Sequence, residues 1–91
     1  MHTFEFITET SNIAFDVAYV NAEDPVDALV KYCEHTGEVK QCYLNVMKDA
    51  SFADALEIAR DNLRYDIIRM DDISGYISYF DNPKKSIDII E

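Results

Sequence analysis

The chain lacks several things, and each absence excludes something. In 91 residues there is no tryptophan, and there are two glycines, two prolines and two cysteines. With only Gly37 and Gly75, the backbone has few places to close tightly on a ligand, and no Gly-rich phosphate loop is present. No apolar run approaches the ~18 residues that a membrane span needs. Between Met1 and Glu9 stand Glu5 and Glu9, where a secretion signal would need a basic and then an apolar stretch. The expected location is therefore the cytoplasm. Cys33 and Cys42 are too few for a disulfide scaffold and form no Cys-x-x-Cys pair, so the reading is two reduced, buried thiols and no zinc site.

The scarcest resource is positive charge. Eight Lys and Arg stand against 18 Asp and Glu, a formal net charge of −10. Like charges repel, so direct binding to nucleic-acid backbones or anionic membranes is not expected, and a basic partner is favoured. What is present fits one packed domain over residues 1–91. Hydrophobic residues make up 48%, with six Tyr and five Phe. A chain of this length buries roughly 60–65% of its unfolded surface.

The local patterns predict an α+β fold. Phe4 and Phe6 share one face of a first strand, and Thr10-Ser11-Asn12 reads as a turn. Ile13, Phe15, Val17 and Tyr19 alternate with Ala14, Asp16 and Ala18, which predicts a half-buried second strand and a hairpin over residues 3–20. Asp24 is an N-cap, Pro25 sits at the first helical position, and Gly37 is placed for the left-handed stop, giving a helix over 25–36. Val39 to Met47 alternates as a strand, with Cys42, Leu44 and Val46 inward. Ser51 and Asp54 open a second helix along Phe52, Leu56, Ala59 and Leu63. Tyr65 to Met70, Tyr76 to Phe80 and Ser86 to Ile90 complete the strands, with turns at 72–75 and 81–84. The expected order is β-β-α-β-α-β-β-β: an antiparallel sheet with two helices on one face.

Catalytic patterns do not emerge. There is no Gly-x-Ser-x-Gly elbow and no His-Glu-x-x-His. His2 is near a terminus, where little order is expected. His35, in the last turn of the first helix, reads as a cation at the negative end of the dipole rather than a proton relay. The adjacent pairs Asp71-Asp72 and Glu23-Asp24 would point apart in a strand or turn, and no calcium-loop spacing follows Asp66. No catalytic residue, cofactor or metal is assigned.

The placement of the acids is more informative. Asp54, Glu57 and Asp61 fall at i, i+3 and i+7 of the second helix, one carboxylate row about 10 Å long. Glu23, Asp24, Asp27, Glu34 and Glu38 surround the first helix, with Lys31 the one base between Val20 and Val39. A solvated helix face accounts for such a row alone, but −10 exceeds the magnitude of about 2–8 that solubility asks of a small domain. The row resembles phosphate charge in sign and spacing, and proteins that bind nucleic acid line their channels with Lys and Arg. The binding residues expected on this basis are Asp24, Asp27, Glu34, Asp54, Glu57 and Asp61, with Tyr43 as an aromatic anchor.

In size, charge and lack of catalytic motifs, and on residues such as Asp24, Asp27, Glu34, Asp54, Glu57 and Asp61, the chain resembles the small acidic inhibitors encoded by phages and mobile elements. These are anti-CRISPR and antirestriction proteins that act as nucleic-acid mimics. The resemblance implies a bacterial host cytosol, stoichiometric inhibition, and a basic nuclease or nucleoprotein nuclease complex as partner. The alternative is a non-inhibitory interaction or regulatory domain, a homodimer formed through an exposed strand such as Tyr76 to Phe80 or through Ile87, Ile89 and Ile90.

Overall fold

In the computed structural model, two strands of eight residues set the frame. β1 (His2–Glu9) pairs antiparallel with β2 (Phe15–Ala22), from His2 opposite Ala22 to Glu9 opposite Phe15. The structure describes residues 1–9 and 15–74, and the backbone alone of residues 77 and 78. The turn at Thr10–Asn12, the turn at 81–84 and the strand at 86–90 expected from the sequence lie outside the described residues.

Period-two alternation puts Phe4 and Phe6 on one face of β1, opposite Val20 and Ala18. Both phenylalanines are fully buried, and Phe6 stacks on Tyr32 with ring centroids 4.6 Å apart. β3 (Asp66–Asp72) lies on the other side of β1, antiparallel, with Phe6 opposite Met70. The pairing slips one residue between Ile7 and Thr8. That slip lets Ile67 and Met70, three apart, both join the core, where a regular strand would send them to opposite faces. β4 (Ile77–Ser78) pairs with β3, so the sheet runs β2-β1-β3-β4.

Three helices cover the core face. α1 (Pro25–Thr36) begins and ends where its punctuation predicts. The Asp24 carboxylate accepts the Asp27 N–H at 2.8 Å, and Gly37 takes φ 72°, its N–H donating to the Cys33 carbonyl at 3.3 Å. α3 (Phe52–Asn62) starts where Ser51 Oγ accepts the Asp54 N–H at 3.2 Å. Alanines at 22, 28, 55 and 59, all fully buried, let the layers approach closely.

Two expectations are corrected. The segment expected as a strand over 39–47 is a helix, α2 (Gln41–Lys48), so the order is β-β-α-α-α-β-β, with three helices rather than two. Its core contacts are Leu44 and Met47, at helical spacing, and Gln41 donates to Asn45 one turn on at 3.0 Å. Val46 and Cys42, expected inward, are both exposed; Cys33 alone of the thiols is buried. In β2 the faces are reversed. Ala18, Val20 and Ala22 turn toward the helices, while Phe15, Val17 and Tyr19 turn to the outside. Strand period fixes two alternating sets but not which set is inside; the close fit of α1 selects the small one.

Candidate functional site: the acidic helical surface

α1 and α3 run side by side in the same direction. Their N-terminal ends flank an open groove of about 580 Å³, lined by Asp24, Val26, Asp27 and Val30 from the α1 end, Phe52 from α3 and Lys48 from α2. At their far ends the Glu38 carboxylate accepts the Arg64 N–H at 2.5 Å. This arrangement follows from the sequence: each helix buries a narrow apolar stripe, so the acids between the stripes are left outside.

The expected binding residues fall in three places rather than one. Asp24 and Asp27 meet at the groove, where both already have structural duties. Asp24 caps α1, while Asp27 Oδ2 accepts the Glu23 N–H at 3.1 Å and pairs with Lys31 at 3.3 Å. Glu34 lies exposed two turns further along α1. Asp54, Glu57 and Asp61 are exposed along α3, and their carboxylates form no ion pair among the described residues. Tyr43 stands apart on α2, 42% exposed. α2 carries no acid and is bracketed by Lys40 and Lys48, so the negative field is two strips, α1 and α3, with a neutral-to-basic helix between them in sequence.

Burial, not function, sets the shifted ionisations in the core. The Cys33 thiol is pushed up to about 12, first by burial and then by the Glu38 charge. Burial also raises the Tyr32 phenol, against a lowering hydrogen bond with Thr8. On the opposite side of the molecule the Tyr19 phenol is raised because its hydroxyl bonds the Glu5 carboxylate, whose charge adds to the effect.

Two polar clusters escaped the sequence reading. Asp71 and Asp72 diverge as strand neighbours must. Asp71 pairs with Arg69 on the outer face, both over nine-tenths buried; Arg69 Nη1 and Asp71 Oδ1 have no hydrogen-bond partner among the described residues. Asp72 turns inward and ties the start of β1 to the end of β3. His2 Nδ1 meets Asp72 Oδ2 at 2.9 Å, and Ser74 donates its N–H (3.1 Å) and its hydroxyl to Oδ1. His2 is therefore anchored, contrary to the expectation of little order there. This His-Asp-Ser group is not a nucleophile relay. The same ring nitrogen faces both Asp72 and Ser74, and the serine hydroxyl is spent on the carboxylate. Sequence separations of 70 and 72 residues left no local signal for it. Among the described residues no group of three His, Cys, Asp or Glu is placed to hold a metal ion, and no helix is long and apolar enough to cross a membrane. No protein-family model matches the chain, and no curated protein sequence and no solved structure is significantly similar to it.

Proposed function

We propose that the chain is a stoichiometric protein inhibitor of a bacterial nucleic-acid-targeting defence complex, of the anti-CRISPR or antirestriction kind. It docks its acidic helical surface on a basic channel and excludes the nucleic acid. The observation that carries this reading is the α3 row: Asp54, Glu57 and Asp61 are exposed, share one side of the helix and are not neutralised by an ion pair among the described residues. A net charge of −10 on 91 residues opposes compaction, which makes the excess a feature to be explained by binding. Complementary charge speeds encounter and weakens with salt.

The test is capture from bacterial lysate at about 50 and about 500 mM salt, where the Debye length falls well below the length of the row. A basic nuclease complex retained at low salt, released at high salt and displaced by duplex nucleic acid supports the reading. Retention that duplex does not compete for refutes it.

A further inference from the structure

β2 forms one margin of the sheet, and among the described residues nothing pairs with its outer side. In an antiparallel ladder every second residue of such a strand turns its N–H and C=O outward. Natural edges are shielded by Lys, Pro, bulges or brevity. Phe15–Ala22 has none of these. It is eight residues long, contains no Pro, Gly, Lys or Arg, pairs with β1 without a register break, and carries one charge, Asp16.

Its outward side chains are apolar. Phe15, Val17 and Tyr19 are 50%, 52% and 63% exposed. Spaced two apart, they make a row about 13 Å long. On the strand behind, Glu9 stands opposite Phe15 and Glu5, bonded by the Tyr19 hydroxyl, opposite Tyr19, while Asp16 is exposed on the other face of the edge strand.

We infer that the free edge of β2 accepts an added strand from a partner protein. The occupant is an extended segment whose apolar side chains, every second residue, lie beside Phe15, Val17 and Tyr19, and whose intervening Lys or Arg residues turn to the other face beside Asp16. Charge decides between this and a second copy of the chain, which would bring its own Asp16 to the seam and a further −10 to the complex. The inference rests on the proposed function only in taking the partner to be basic. The surface itself lies across the sheet from the acidic helices.

The probe is a synthetic peptide in which Val and Tyr alternate with Lys, beside a control of equal charge with Pro at alternate central positions. Amide hydrogen exchange is read on the whole protein by NMR. The alternating peptide is expected to slow the outward amides of β2 at least about tenfold, and the Pro control is expected to leave them unchanged. Val17→Glu is the decisive variant. It adds attraction for a basic peptide but breaks the apolar row, so an edge site weakens about tenfold while plain charge attraction strengthens; Tyr19→Ser serves as the milder second variant. Asp54→Asn with Glu57→Gln and Asp61→Asn is expected to keep the β2 effect, so loss of the helical reading and loss of this one are told apart. The inference is overturned by protection that falls on the helices, by unchanged or tighter binding in Val17→Glu, by no slowing at about 1 mM peptide, or by sedimentation of the free protein as a dimer whose β2 amides are already protected.

Discussion

On α3 the buried positions are Ala55 and Ala59 and the exposed ones include Asp54, Glu57 and Asp61. On the outer face of the sheet the assignment is inverted: Phe15, Val17 and Tyr19 stand in solvent while Arg69 and Asp71 are buried. The helical layer follows the pattern that folding alone would select, apolar in and charged out. Its acids are therefore free to be changed, and their excess is the part that folding does not explain. The sheet's outer face spends stability in two ways, by exposing apolar rings and by desolvating an ion pair. A face arranged against the folding preference is the one the added-strand inference draws on, and a face arranged with it has to be judged by its charge.

Four outcomes sharpen or break this contrast. The largest concerns the two thiols. Exposed Cys42 is expected to react with a disulfide reagent at the rate of a free thiol. Fully buried Cys33 should react slower by about three orders of magnitude or more, the reach of unfolding for a stable small domain. Titration with and without denaturant measures both. Equal rates would mean that α2 does not sit as described. The same thiol gives a pH dependence. Its proton is released near 9 in the unfolded chain but only near 12 in the folded one. Stability therefore falls as pH rises through that window, and Cys33→Ala should flatten the contribution.

Next is the buried ion pair. Arg69→Met leaves the Asp71 carboxylate buried and unpaired, and urea unfolding should register a loss of about 3–5 kcal/mol. Arg69→Met together with Asp71→Leu should recover most of it. If the single variant is near neutral, the outer face is not the dry environment described. Smaller is the cap. Asp24→Ala is expected to lose about 1 kcal/mol by the same measurement, because the Asp27 N–H loses its acceptor. Smallest is the α3 row, where Asp54→Asn, Glu57→Gln and Asp61→Asn should each change stability by under about 0.5 kcal/mol. A large loss there would show that the row holds the fold.

Much of this architecture could be read from the residues where one local signal had no rival. Asp24, Pro25 and Gly37 bound α1 through backbone chemistry that acts at single positions, and Ser51 does the same for the start of α3. The cluster of Tyr65, Ile67 and Ile68 marked β3, the strand Asp66–Asp72. Residues 39–47 misled because Cys42, Leu44 and Val46 alternate while Leu44 and Met47 also fit a helix; over eight residues the two periods overlap, and packing on the core decides. The orientation of β2 depended on α1 needing small partners, which is a tertiary fact. The acids of α3 were placed outward correctly because their helix was. Their division from Asp24 and Asp27 was not visible, since nothing local tells that a carboxylate will be occupied by capping or by Lys31. The His2–Asp72–Ser74 tie joins the first and last described strands of the β1–β3 pair and could appear only with the pairing register.

The central claim is that the α3 carboxylates serve recognition rather than folding. The most direct measurement is the association rate of the wild type and of the Asp54→Asn, Glu57→Gln, Asp61→Asn variant with the captured nuclease complex, at about 50 and about 500 mM salt. The account expects the variant to associate several-fold more slowly at low salt, with the gap closing at high salt while both proteins unfold at the same denaturant concentration. Equal rates at both salt concentrations would contradict it.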